Sequence, residues 1–87
     1  MVEIKKFEAA WCGPCRMLKP TFVKLEESLG NSVKFSYIDI DGNEHLSEQY
    51  NVRSVPTVII EKDGVEVQRF VVVQSELAYK NAINEVL

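Results

Sequence analysis

The sequence has 87 residues, the length of one domain, and we expect residues 1–87 to form a single domain. Its 46% hydrophobic and 26% charged residues are typical of a globular protein, and its net charge of −3 argues against nucleic acid or an anionic membrane as the main partner. No apolar run approaches the roughly 18 residues of a membrane span, and the N-terminal segment lacks the apolar core of a signal peptide. Two cysteines are too few to staple a secreted fold, so we expect a cytoplasmic protein whose cysteines stay reduced and have another role.

The first predicted elements are a strand at residues 1–7 and a long helix. Pro14 suits the first turn of that helix, because its missing N–H has no partner to lose there, and Gly30 favours its end. Pro20 falls inside the helix and is expected to kink it, since its ring clashes with the carbonyl four residues earlier. Apolar residues recur along the helix at helical spacing: Leu18, Phe22, Leu25 and Leu29.

A second strand is predicted at residues 33–40, followed by a short helix. Asp41 and Glu44 have the spacing of a capping box, in which each end residue satisfies a free backbone N–H of the first turn. This spacing predicts that the short helix begins near Asp41 and ends near Tyr50.

The last third of the chain predicts a hairpin and a final helix. Asp63 and Gly64 lie between two β-branched runs and favour a tight turn, and Ser75 is placed to cap the helix. The element order is therefore β-α-β-α-β-β-α. We expect an α/β fold with one four-stranded mixed sheet and helices on both of its faces.

The two cysteines, Cys12 and Cys15, lie at the predicted junction of the first strand and the first helix. Free backbone N–H groups and the helix dipole favour an anion there, so we expect the Cys12 thiolate to be stabilised. Cys15 would lie one helical turn further on, where it could attack a mixed disulfide formed by Cys12. We expect Cys12 to be the exposed nucleophile and Cys15 the buried resolving thiol, with Gly13 and Pro14 keeping the connection between them tight.

Three other interpretations of the pair are weaker. A purely structural disulfide across two residues closes too small a loop to stabilise the protein much. A zinc site needs two more ligands and the chain offers only His45, so we predict no metal. Two unrelated buried cysteines remain an option for a bare C-x-x-C spacing, but Trp11 and the Gly-Pro pair favour a redox site.

The chain resembles the thioredoxin family from Val2 to Leu87, without the strand and helix that usually open a thioredoxin. The shared features are "WCGPC", Phe7, Ala9, Arg16, Met17, Pro20, "IDID" at 38–41, "VPT" at 55–57 and "KDG" at 62–64. The resemblance implies a thioredoxin-like fold in a compact, glutaredoxin-sized form. It also implies a thiol-disulfide oxidoreductase that reduces disulfide-containing proteins, needs no cofactor beyond its cysteines and receives electrons from a thioredoxin reductase-like partner. We expect a monomer.

The resemblance also implies the residues around the cysteines. Pro56 would follow a cis peptide bond and lie beside the pair, and the Val55 backbone would bind an extended segment of the substrate. Trp11 would shield the sulfur and contact substrates. Val72 stands where the family has a glycine in the substrate groove, which should make the groove narrower and more apolar.

At two positions the chain has other residues than those through which thioredoxins usually transfer the proton of the inner cysteine. Lys6 stands where thioredoxins usually carry a buried aspartate, and Tyr37 where they carry a lysine. Burial of an unpaired charge is costly, and the long lysine stem can reach water, so we expect Lys6 to be partly exposed. We expect it to tune the thiols and not to replace the aspartate as a base. Glu8 and Asp39 are acids that could approach it.

Two alternative functions remain at this point. A glutaredoxin-like reductase coupled to glutathione would suit the chain length, although the Gly-Pro pair and the absence of a glycine pair after the hairpin disfavour it. A binding subunit with incidental cysteines would suit the small size and the apolar run at 71–73.

Overall fold

The computed structural model describes residues 1–87, which form one four-stranded sheet with the strand order β2-β1-β3-β4. The strands are β1 (Val2–Glu8), β2 (Val33–Asp39), β3 (Thr57–Lys62) and β4 (Val65–Phe70). Strand β1 is parallel to β2 and antiparallel to β3, and β3 is antiparallel to β4. The predicted mixed sheet is therefore confirmed.

Three helices connect and flank the strands: α1 (Gly13–Leu29), α2 (Glu44–Gln49) and α3 (Glu76–Asn84). The predicted element order is confirmed, with short 3-10 turns added after α1 and after β2. Helix α1 continues through Pro20, which lies inside it. None of the three helices has the length and apolar character that crossing a membrane requires.

Helices α1 and α3 pack on one face of the sheet, where the main core lies. The apolar stripe of α1 faces the first strand, as its helical spacing predicts, and Phe22 makes a tilted aromatic contact with Tyr79 of α3. The buried members of this core are Val2, Ile4, Leu18, Phe22, Leu25, Leu29, Val33, Val58, Ile60, Tyr79 and Ile83.

The opposite face of the sheet carries α2 and a smaller apolar cluster. Phe7, Ile38 and Ile59 are its buried members, and Leu46 and Tyr50 pack against them. Helices thus cover both faces, as predicted. Because side chains alternate along a strand, Phe7 faces α2 while its neighbour in β1, Lys6, faces α1.

The capping box predicted for the short helix is wrong. Strand β2 ends at Asp39, and the Asp39 carboxylate accepts a hydrogen bond from the Asp41 N–H at 2.9 Å, which holds a 3-10 turn at that point. Asp41 therefore lies before α2, whose N-cap is Asn43 and has no side-chain cap. The Asp41 carboxylate is left free for a partner outside this turn.

The two other turn signals are confirmed. Asp63 and Gly64 have φ values of 51° and 83°, the left-handed conformation that a tight hairpin turn requires. The Ser75 hydroxyl accepts a hydrogen bond from the Ala78 N–H at 3.1 Å and caps α3.

Candidate active site

Cys12 and Cys15 form a disulfide at the junction of β1 and α1. Cys12 is the N-cap of α1, with extended backbone (φ −89°, ψ 109°), and Cys15 lies in the first turn after Pro14. The Cys12 Sγ accepts a hydrogen bond from the Cys15 backbone N–H at 3.2 Å. The predicted position of Cys12 at a helix N-terminus is therefore confirmed.

The prediction that Cys12 is exposed is wrong for this disulfide form. Cys12 is 5% exposed and Cys15 is 3% exposed. Ala9, Ile40 and Val55 pack with the two cysteines in one apolar cluster. The two cysteines are thus both buried and differ in position: Cys12 is the N-cap of α1 and Cys15 lies inside the helix.

Gly13 connects the two cysteines without any steric requirement for glycine. A Cβ placed there would meet no other atom within 4 Å. Pro14 lies at the start of α1, as predicted, where its fixed φ fits the helix. The connection is kept short by the helical turn itself.

The loop before β3 lies against the disulfide. The Val55–Pro56 peptide bond is cis, as the resemblance implied. The Val55 carbonyl oxygen lies 3.7 Å from the Cys12 Sγ, so the backbone of this loop borders the sulfur of the predicted nucleophile. The Thr57 hydroxyl donates to the Ser54 carbonyl oxygen at 2.7 Å, which ties the two ends of the loop together.

Trp11 lies beside the disulfide and is held by Asp41, the residue that was expected to cap the short helix. Its Nε1–H donates to the Asp41 carboxylate at 2.8 Å, while 65% of the residue remains exposed. Most of the indole surface is thus free to contact another molecule. The match at "IDID" included Asp41, but its spacing to Glu44 pointed to helix capping instead. The apolar residues that pack with the two cysteines are Ala9, Ile40 and Val55, and Trp11 is not part of that cluster.

Val72 lies in the segment after β4 and is 64% exposed. Val58 faces Phe70 in the pairing of β3 with β4, so the chain beyond Phe70 leaves the sheet at the end where Pro56 enters it. Val72 therefore lies near the same end of the sheet as Pro56. It does not pack against the disulfide.

Lys6 is buried, which corrects the expectation of partial exposure. The side chain is 2% exposed, and its Nζ lies 5.3 Å from the centre of the Phe22 ring. The ammonium pairs with the Glu8 carboxylate at 2.8 Å and donates to the Cys15 carbonyl oxygen at 3.3 Å. These partners offset the cost of burying the charge, so the lysine does not have to extend to water.

A cleft of about 580 Å³ opens between α1 and the edge of the sheet next to Lys6. Its lining includes both members of the Lys6–Glu8 pair together with Cys15. Tyr37 also lines it and donates to Glu26. Burial and that hydrogen bond raise the pKa of Tyr37.

No group of three or more His, Cys, Asp or Glu side chains is placed to hold a metal ion. His45 lies on α2, away from the element that carries the cysteines. The chemistry that the arrangement offers is that of the two sulfurs.

Comparison with known proteins gives consistent results. The family model described as thioredoxin matches residues 2–85. A thioredoxin from Bacillus subtilis is 35% identical over 84 residues, which cover 97% of this chain and 81% of that protein. A thioredoxin from Chlamydia caviae is 42% identical over 79 residues, which cover 91% of this chain and 76% of that protein.

Solved structures show the same similarity. A mutant thioredoxin from Halobacterium salinarum superposes with a TM-score of 0.90 at 39% identity, and the match covers 98% of this chain and 74% of that one. The thioredoxin of Fasciola hepatica gives a TM-score of 0.89 at 34% identity, with coverage of 99% and 81%.

Proposed function

Because the chain belongs to the thioredoxin family and is a thiol-disulfide oxidoreductase, we propose that it reduces disulfides of protein substrates with Cys12 as nucleophile and Cys15 as resolving thiol. Electrons would return to the pair from a thioredoxin reductase-like partner, and no further cofactor would be needed. We also propose that it works as a monomer. Its compartment would be the cytoplasm, because the sulfur pair must be reduced again after each turnover and the cytoplasm keeps thiols reduced.

The observation that carries this proposal is the position of the Cys12 sulfur. It caps α1 and accepts the Cys15 N–H at 3.2 Å, so after reduction a thiolate at Cys12 would keep this bond and the favourable end of the helix dipole. In C-x-x-C motifs such a setting lowers the cysteine pKa from about 8.5 to about 7 or below. A thiol with a pKa near ambient pH is close to the best attacking group for disulfide exchange.

The reaction then takes two exchanges. The Cys12 thiolate attacks one sulfur of the substrate disulfide, an S–S bond forms between Cys12 and the substrate, and the second substrate sulfur leaves as a thiolate. Cys15 loses its proton and attacks the Cys12 sulfur, which forms the Cys12–Cys15 disulfide and releases the first substrate sulfur. The substrate gains two electrons and the protein loses two, which gives the oxidised form described above.

Substrate binding would use the surface around Cys12. The Val55 backbone borders the sulfur and would pair with an extended segment that carries the substrate cysteine. The exposed indole of Trp11 would cover the apolar part of that segment on one side of the sulfur. Pro56 and Val72 would form the other side, where the valine would make the groove narrower and more apolar than the family's glycine would.

Turnover of insulin disulfides tests the proposal. With dithiothreitol as electron donor, catalytic amounts of the unmutated protein should accelerate insulin precipitation, and Cys12→Ser should abolish the acceleration. Met17→Ser is a matched control, because Met17 is 79% exposed on the same helix and has no assigned role. Equal rates with and without Cys12 would refute the proposal. Turnover supported by glutathione and its reductase, but not by a thioredoxin reductase, would instead indicate the glutaredoxin-like function.

A further inference from the structure

Lys6 is a buried charge that the reaction described above does not use. At 2% exposure it is the most buried lysine of the chain, and a charge in such a position is costly unless it is paired. One of its partners is the Glu8 carboxylate at 2.8 Å. The other is the carbonyl oxygen of Cys15 itself, at 3.3 Å. The positive charge is therefore hydrogen-bonded to the backbone of the residue whose thiol must become an anion in the second exchange.

The other charged and titratable groups near Lys6 do not duplicate this contact. On β1 the neighbour is Glu8; on β2 they are Tyr37 and Asp39; on α1 they are Arg16, Lys19 and Glu26. Glu26 accepts from the Tyr37 hydroxyl, and Arg16 donates to the Ala10 carbonyl oxygen at 2.6 Å. Lys19 lies on the exposed face of α1. Among the cations that line the cleft, Lys6 is thus the one whose charged group is hydrogen-bonded to Cys15.

We propose that Lys6, held in place by Glu8, is a positioning residue that stabilises the Cys15 thiolate during the resolving step. This inference rests on the proposed role of Cys15 as the resolving thiol. In that step Cys15 gives its proton to solvent in the cleft, its sulfur attacks the Cys12 sulfur of the mixed disulfide, and the substrate sulfur leaves and takes up a proton. Lys6 remains an ammonium throughout, and the two electrons pass from Cys15 and Cys12 to the substrate.

The physical reason is the low polarity of the surroundings. Lys6 lies between the rings of Phe22 and Tyr37, and neither ring can screen its charge as water would. An opposite charge near an acid favours its ionised form, by about 1–3 pKa units at separations of about 4–6 Å. Because Lys6 is bonded to the backbone of Cys15, we expect a shift at the low end of that range for its thiol. Glu8 has the opposite effect on a thiolate, so the two members of the pair act on Cys15 with opposite signs.

Release of the thionitrobenzoate anion from Ellman's reagent measures this step. Excess reagent converts reduced Cys12 to a mixed disulfide with release of one anion, and attack by Cys15 then releases a second in a phase that does not depend on reagent concentration. The pH dependence of that second phase reports the ionisation of Cys15. The variants are Lys6→Met, which keeps the length of the side chain, Glu8→Gln, and Lys19→Met as a control in the same cleft.

We expect Lys6→Met to raise the midpoint of the second phase by about one pH unit and Glu8→Gln to lower it. Below both midpoints a rise of one unit reduces the thiolate tenfold, but the more basic thiolate is the better nucleophile, so the release should slow about threefold. Lys19→Met should leave the midpoint in place. Circular dichroism and urea unfolding test whether each variant is folded.

An unchanged midpoint in folded Lys6→Met, or the same shift in Lys19→Met, would overturn the inference. If Lys6→Met does not fold, Glu8→Gln decides, because its side chain is 32% exposed and a carboxamide can be hydrated there. A lower midpoint in Glu8→Gln supports the inference, and an unchanged or higher one overturns it. A missing second phase in the unmutated protein would refute the proposed function instead.

Discussion

Replacement of Asp41 by alanine tests how the surface beside the nucleophile is organised. Trp11 is 65% exposed, and the one hydrogen bond of its indole goes to the Asp41 carboxylate at 2.8 Å. Without that acceptor the ring is free to move over the surface. We therefore expect Asp41→Ala to weaken the reduction of protein disulfides while leaving the sulfur chemistry intact.

The expected effects of Asp41→Ala are small, because the hydrogen bond between Trp11 and Asp41 is exposed to solvent. A solvent-exposed hydrogen bond contributes about 1 kcal/mol net, so Asp41→Ala should lower the free energy of unfolding by about that amount or less. A substrate that orders the freed indole must offset about 0.5–1.5 kcal/mol of side-chain entropy. That cost corresponds to a loss of roughly 2- to 12-fold in kcat/KM.

The assay is a double-mutant cycle on the reduction of insulin with dithiothreitol as donor. Trp11→Phe removes the indole N–H, so Asp41→Ala should have little further effect in that background. The rate with Ellman's reagent, a small disulfide, serves as the control and should change little. An equal loss from Asp41→Ala in both backgrounds would refute the role of the hydrogen bond, as would no loss with insulin.

Three further outcomes are expected. The reduction potential should lie nearer about −270 mV than about −120 mV, by analogy with thioredoxins that share the Gly-Pro pair; equilibration with glutathione measures it, and a value above about −200 mV would contradict this. Burial and the hydrogen bond to Glu26 raise the pKa of Tyr37 above its ordinary 10.0. Desolvation alone would lower the pKa of Lys5, but Glu61 and its other partners raise that pKa above its ordinary 10.5. The protonated forms of Tyr37 and Lys5 therefore stabilise the folded protein below the ordinary pKa values of the two groups, and this stabilisation is lost as pH rises through their higher pKa values in the folded protein. The free energy of unfolding should therefore fall above about pH 10, and a flat urea-unfolding profile from pH 8 to about 11.5 would count against this expectation. Leu25→Ala should lower the free energy of unfolding by about 2–5 kcal/mol, because Leu25 is 0% exposed, and a cost below about 1 kcal/mol would show that the core collapses around it.

The elements of the fold could be predicted because local patterns and packing agree in this chain. The helical spacing of Leu18 and Phe22 matches the face of α1 that packs on the sheet, and the left-handed turn at Asp63 and Gly64 uses the residues that tolerate it. The cysteine pair could be placed at the end of β1 for the same reason. The place of the cysteine pair at the start of α1 depends on residues close to it in sequence, such as Pro14.

The features that could not be predicted depend on contacts across the fold. Asp41 has the spacing of a helix cap, but the 3-10 turn directs its carboxylate to Trp11, 30 residues away in sequence. Lys6 was expected to be partly exposed; Glu8 was named as an acid that could approach it, but the second partner, the Cys15 carbonyl oxygen, comes from helix α1 and could not be predicted. The burial of Cys12 follows from Ile40 and Val55, which approach from other elements.

Trapping of the mixed disulfide tests the assignment of the two cysteines most directly. Reduced Cys15→Ser is mixed with insulin, and the products are resolved without reductant and identified by mass spectrometry. We predict a stable adduct through Cys12, because no second thiol remains to release it, and no comparable adduct with Cys12→Ser. An adduct through Cys15 in Cys12→Ser, with none in Cys15→Ser, would show that the nucleophile lies inside the helix and would contradict the account.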